Sequence, residues 1–297
     1  MLNSALISLK GMRKMTKKVK LGIMAAASAA LLLGGAFLYF KDDIAQEIAE
    51  NDLEPFRPII VSQGTLDEIT SDLIAETTTK NTIKIDSTET TVTAEISQNT
   101  VVSDTIPDDV RQSLIDSAQA MNSAYPDTVG WLYIPDTSVN YPIMQGSDNN
   151  FYLYHSYDGS SLKSGSIFLD YRCENRFMNS INIVYGHNMN NGSMFAGLLK
   201  FGDISYFDSH RYGWLATPET VYRVDFFSCA KADMNDAIYD GSADIDGWIS
   251  HLSDISVVTE NTDFSGNDRF ISLSTCSYEF ENARTILTGK LVEMNGG

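Results

Sequence analysis

Three side chains suited to acyl transfer stand at the ends of β-prone runs in this chain. Cys276 closes the run FISLST inside ISLSTCSYEFENAR, and Arg284 follows it eight positions later. His187 lies just past another apolar run, in VYGHNMNNGSMF, where Asn and Gly mark a loop. A thiolate attacking a carbonyl needs an imidazole to pass protons to and from the leaving group. It also needs a positive charge or hydrogen-bond donors where the oxyanion develops. Two adjacent antiparallel strands joined by a short loop would bring Cys276 and Arg284 close together. Each residue also has a plain structural reading. Cys276 alone fits an inert buried thiol, His187 a loop or capping histidine, and Arg284 half of a surface ion pair with Glu279 or Glu281. Spacing alone leaves both sets of readings open.

The elements that must position these groups are mainly short strands. From Trp131 onward, runs such as WLYI, VNYPIM, SIFLD, INIVYG, VYRVDFFSCAKA, FISLST and RTILTGKLVEM are rich in Val, Ile, Tyr, Phe and Thr, with Gly, Asn, Asp and Pro between them. Helical spacing interrupts them over Gly192–Phe201 and over Ala243–Ile255, the latter read as a helix inserted between two late strands. A further helix is predicted from Asp108 to Asn122, with acids in its first turn and an apolar face toward the strands. Many short strands with few helices predict a closed barrel or a sandwich. There is no internal repeat.

Charge divides the chain. All 39 acidic side chains and 15 of the 21 basic ones lie in residues 41–297, whereas residues 1–40 hold six basic residues and no acid. A body that acidic repels phosphate backbones, so nucleic acid is excluded as a partner. Residues 21–40, LGIMAAASAALLLGGAFLYF, carry no charge and match the length of a membrane-spanning helix. Their basic flank predicts a cytoplasmic amino terminus and an extracellular body. A cleaved signal peptide is the competing reading, but ten apolar residues follow the small ones and no clear A-x-A site ends the run. Residues 41–107 read as an acidic stalk. It opens with a short helical pattern interrupted by Pro55 and Pro58, then becomes Thr- and Ser-rich without an aromatic residue over 63–105. This gives four parts: a basic cytoplasmic segment at 1–20, a single transmembrane anchor at 21–40, the stalk at 41–107 and a catalytic domain at 108–297.

Cys173, Cys229 and Cys276 are widely separated and odd in number, which leaves at least one thiol outside any disulfide. Cys173 and Cys229 read as buried thiols, with a disulfide as the alternative. The four histidines, His155, His187, His210 and His251, lack zinc-site spacing, and no Gly-rich phosphate loop is present. No metal and no cofactor is expected.

The wider contexts resemble one family. GWLYI, YPIMQGSDNNFYL, GSIFLDYR, NIVYGHNMNNGSMF, YF before His210, and ISLSTCSYEF are similar, in this order, to segments of the class B sortases, membrane-anchored cysteine transpeptidases of Gram-positive bacteria. The resemblance spans roughly residues 127–293. It implies an eight-stranded β-barrel with an amino-terminal helix and an extra helix near Trp248. It also implies that Cys276 attacks a sorting motif near the C-terminus of a secreted protein, that His187 exchanges protons with the leaving and incoming amines, and that Arg284 stabilises the oxyanion or positions the substrate. Asn149, Leu153, Tyr185, Ser274 and Thr275 match positions of the substrate groove or its oxyanion contacts. The implied acceptor is an amine of a peptidoglycan precursor. A pilin lysine, for a polymerase of the same fold, and an inactive surface scaffold are the alternatives, with a secreted cysteine protease a further one. One departure stands out: Ser277 follows the nucleophile where an acidic residue often appears in the class.

Overall fold

The computed structural model describes residues 41–59, 106, 108–241, 244–260 and 263–294. The expected membrane span and the Thr- and Ser-rich stretch lie outside these residues. Among the described residues no helix is long and apolar enough to cross a membrane.

Nine strands form one sheet: β1 (Thr128–Tyr133), β2 (Asn140–Met144), β3 (Ile167–Leu169), β4 (Ile181–Tyr185), β5 (Tyr212–Ala216), β6 (Val221–Asp233), β7 (Ser256–Thr259), β8 (Phe270–Cys276) and β9 (Ala283–Met294). Their order is β5-β1-β2-β3-β4-β8-β9-β6-β7, and β5 also pairs with β6. Eight strands therefore close a ring, as expected, and β7 is a ninth strand on the free edge of β6. The long β6 makes this possible: Val221–Asp225 pair with β5, Ser228–Ala230 pair with β7, and the opposite edge runs along β9.

Strand alternation sorts the side chains into two cores. Ile271 and Leu273 of β8 join Trp131, Ile143, Val184 and Leu287 in the main core. Phe270 points the other way and packs with Ile181, Ile183, Ile286, Trp248 and Leu252 beneath helix α3 (Ile245–Ile255). Asp244 caps α3 by accepting from the Gly247 amide, and the Trp248 indole donates to the Ile238 carbonyl at 3.0 Å. The insertion expected between two late strands is thus α3, between β6 and β7, preceded by a 3-10 turn at Ala237–Tyr239.

Helix α1 (Asp108–Ala124) buries Leu114, Ile115, Ala118 and Met121, a spacing that presents one face to β1. Burying each large apolar side chain contributes about 1.5–3 kcal/mol. The short segment Leu53–Ile59 packs here too. Its helix (41–53) ends where Pro55 and Pro58 prevent continuation, and Glu54–Phe56 form a 3-10 turn. Leu53 enters the main core, and Phe56 meets Tyr125 edge-on at 6.2 Å. The Arg57 guanidinium lies over Tyr141 and donates to the Asn140 carbonyl at 3.1 Å. The Ile59 amide donates to Ser113 Oγ at 2.7 Å. Residues 53–59, read from sequence as stalk, are therefore a strap on the body, because Leu53, Phe56 and Pro58 find cover there.

Two other readings shift. The helix expected over Gly192–Phe201 begins later, as a 3-10 helix at Ala196–Gly202 followed by α2 (Ile204–Ser209). Gly192 and Met194 both have positive φ, which an α-helix does not admit. Strands β5 and β7 were not anticipated. Both are short, β7 is largely exposed, and β5 contains Gly213.

Candidate active site

Sheet register assembles the rim. Cys276 ends β8 and pairs across the ladder with Arg284 of β9, so the two side chains stand on one face. Strand β4 runs parallel to β8, with Tyr185 beside Ser274. The Gly186 amide extends that pairing by donating to the Ser274 carbonyl at 3.1 Å, which carries His187 alongside Cys276. Asn188 locks the arrangement, its Nδ2 donating to the Cys276 carbonyl at 3.0 Å. The close fit explains Gly186: an added Cβ would lie 2.4 Å from Ile167 Cδ1 and 2.7 Å from Phe195. Cys276, His187 and Arg284 are all half-buried.

His187 has a defined orientation. Its Nε2 lies 2.8 Å from the Leu153 carbonyl, and a carbonyl only accepts, so Nε2 carries a proton. In the neutral ring Nδ1 is then the nitrogen free to take a proton. The ring of Tyr154 flanks it at 6.2 Å. The Arg284 guanidinium donates to the carbonyls of Asn282 and Ala283. It makes no ion pair among the described residues. Glu279, a partner considered from sequence, pairs instead with Lys231 at 2.5 Å, and Lys231 also donates to Thr285 Oγ1. Partial burial would raise the Glu279 carboxyl, but the Lys231 ammonium holds it down to about 2. The loop between nucleophile and arginine is thereby tied to β6.

The remaining candidate residues fall into distinct places. Leu153 contributes its carbonyl to His187. Ser274 Oγ sits 2.8 Å from the Tyr239 hydroxyl. Thr275 is buried and alternates to the opposite face from Cys276, so its side chain is not on the rim. Asn149 and Tyr185 both reach Asp170, at 3.0 Å each. Burial alone would raise the Asp170 carboxyl, yet Arg172, Asn149 and Tyr185 together hold it below the usual carboxylate range. Burial, joined by the Asp170 charge, pushes the Tyr185 hydroxyl up, and burial pushes Tyr239 up to about 12.

Asp170, Arg172, Tyr239 and Asn188 were not singled out from sequence. The signal for the first two was present in GSIFLDYR, where an aspartate closes an apolar strand and an arginine follows two residues on. All three cysteines are free. Cys229 is fully buried, which pushes its thiol up to about 12, and burial also raises the half-buried Cys173. Neither thiol is suited to attack. A half-exposed thiol beside an imidazole and an unpaired guanidinium can perform nucleophilic acyl transfer.

No family model matches the chain. Sortase B of Listeria monocytogenes is 36% identical to it over 195 residues, covering 64% of this chain and 79% of that protein. Among solved structures, the Staphylococcus aureus sortase B–substrate complex aligns with a TM-score of 0.57 at 26% identity, covering 61% of this chain and 87% of that one. A Streptococcus pyogenes class B sortase involved in pilus biogenesis aligns at 0.55 and 28% identity, covering 58% of this chain and 96% of that one. Sequence likeness over this length and agreement of the whole barrel lead to one conclusion: the chain belongs to the class B sortases and is a cysteine transpeptidase.

Proposed function

We propose that Cys276, His187 and Arg284 carry out the transpeptidation. The observation that carries this reading is the register that sets Cys276 opposite Arg284 on one face, with the end of β4 that leads into His187 running beside Ser274. His187 Nδ1 takes the Cys276 thiol proton, and the resulting thiolate attacks the carbonyl carbon of the scissile peptide, forming a carbon–sulfur bond. Arg284 stabilises the oxyanion. As the carbon–nitrogen bond breaks, the departing amine takes a proton from His187 Nδ1, leaving a thioacyl-enzyme. An incoming amine attacks the thioester and gives its proton to His187. The sulfur leaves as thiolate and the new amide departs. Asn149, Leu153, Tyr185, Ser274 and Thr275 belong to the segments around the substrate, Thr275 through its backbone.

The substrate is a secreted protein with a C-terminal sorting signal, and the acceptor is an amine of a peptidoglycan precursor. Residues 21–40 anchor the chain once in the cell membrane, with 1–20 cytoplasmic and the catalytic domain extracellular. Because the strap at 53–59 packs on the body, the link from the span to the body is residues 41–52. The stretch at 60–105 is then an insertion between strap and α1 rather than the tether.

The full chain in detergent, incubated with a library of sorting-type pentapeptides with and without an added amine, tests the reading. Cleavage at one bond with an amine-ligated product is the expected result. Free acid as the sole product at high amine concentration identifies a protease. A pilin-type lysine peptide preferred over a peptidoglycan-type amine identifies the polymerase alternative.

A further inference from the structure

Asp170 is a fully buried carboxylate with five donors on it. The Arg172 amide and Nε bind Oδ1 at 2.9 Å each, and Arg172 Nη2 binds Oδ2 at 2.7 Å. Asn149 Nδ2 and the Tyr185 hydroxyl complete Oδ2 at 3.0 Å each. These donors come from separate segments: Asn149 from the β2–β3 connection, Tyr185 from the end of β4, and Arg172 from the turn after β3. Arg172 Nη2 reaches a further one by donating to the Tyr239 carbonyl at 3.1 Å, in the insertion before α3. Tyr239 in turn stacks on Tyr185, with ring centroids 6.2 Å apart, and its hydroxyl meets Ser274, two residues before the nucleophile.

We propose that Asp170 is a positioning residue that fixes the substrate groove beside Cys276, an inference that rests on the transpeptidase reading of that rim. Burying a carboxylate is costly, and apolar residues would hold these segments together at lower cost. What the carboxylate adds is orientation. The Asn149 amide oxygen accepts from the Tyr171 amide, and one Nδ2 hydrogen goes to Asp170. The amide is therefore held in one sense, and one Nδ2 hydrogen is left to donate to a peptide carbonyl. The same carboxylate fixes the Tyr185 hydroxyl and, through Arg172, the insertion that carries Tyr239. Asp170 touches neither substrate nor the reacting atoms. It sets the donors and the aromatic pair over which the sorting peptide lies.

The test compares the full-length wild type with Asp170→Asn and Tyr185→Phe, using the best-cleaved pentapeptide from the library. Alongside kcat and KM, it reads the rate at which iodoacetamide alkylates Cys276, which needs no groove. The expected result for Asp170→Asn is a rise in KM of about tenfold or more, the size of a lost hydrogen bond to a charged group, with alkylation within about twofold of wild type. Tyr185→Phe keeps the ring and removes one donor, so a smaller rise in KM is expected. It decides the matter if Asp170→Asn does not fold. Unchanged KM in the folded variants overturns the proposal while leaving the transpeptidase reading intact. A fall in kcat with slowed alkylation also overturns it, placing the effect on the nucleophile instead. A wild type that ligates no peptide overturns both.

Discussion

The proposed catalytic rim and the strap face of the barrel are built from opposite materials. At the rim, half-buried polar side chains are held by hydrogen bonds to backbone carbonyls: His187 to Leu153, Asn188 to Cys276, and Arg284 to Asn282 and Ala283. At the strap, Leu53 and Phe56 cover apolar surface next to α1 and Tyr125, with a few hydrogen bonds fixing the direction of the chain. The first arrangement orients reactive groups and buries little. The second buries much and orients nothing that reacts. Rate and stability should therefore separate between the two faces.

The largest effects should come from the rim. Cys276→Ala should abolish thioester formation while leaving the melting temperature nearly unchanged, as thermal unfolding of the variant will show. His187→Ala and Arg284→Ala should each lower kcat by about 10²–10⁴-fold in the peptide ligation assay, again without loss of fold. A variant that melts early instead would break the separation.

At the strap the outcome should invert. A chain that begins at residue 108 loses the cover supplied by Leu53 and Phe56, worth about 3 kcal/mol, and its melting point should fall by roughly 6–12 °C. Its Cys276 should still react with iodoacetamide at the wild-type rate under native conditions. Replacing residues 60–105 with a short Gly/Ser linker should restore the melting point, because the strap is then retained.

Gly186 belongs to both categories and sharpens the contrast. An added methyl would collide with Ile167 and Phe195 directly behind His187. Gly186→Ala should cost about 1–3 kcal/mol in urea unfolding and also reduce kcat, since the backbone that carries the imidazole must shift.

The smallest effect concerns the Lys231–Glu279 pair. Because Glu279 titrates near 2 when folded, against 4.5 ordinarily, its contribution is fully present above pH 4.5 and fades as the pH falls toward 2. The pair is partly exposed, so screening keeps the effect small. Denaturation midpoints of wild type and Glu279→Gln should differ slightly at pH 6 and converge near pH 2.

The strand-end positions of Cys276, His187 and Arg284 were legible in local composition, but their roles were not: composition left inert readings open, and the family resemblance supplied the proposed roles. Their helpers were not legible. Asp170 looks like any aspartate closing a strand until Asn149 and Tyr185 are folded onto it from 21 and 15 residues away. Tyr239 is joined to Arg172 across 67 residues. The service of Leu153 to His187 is through a carbonyl, which every residue possesses. The strap was hidden for a related reason. Its short apolar run is surrounded by acidic and Thr-rich sequence, and Arg57 finds its partner Asn140 83 positions away. The closed ring was expected, yet β5 and β7 went unread because their pairing with β6, not their composition, makes them strands.

The most direct test is to trap the acyl-enzyme. The full chain is incubated with its best-cleaved pentapeptide in the absence of amine, quenched in acid and digested, and the three cysteine-containing peptides are examined by mass spectrometry. The acyl group is expected on Cys276 alone, with Cys173 and Cys229 unmodified and no adduct in Cys276→Ala. An acyl group on either of the other thiols, or a Cys276→Ala chain that still ligates peptide to amine, would contradict this expectation.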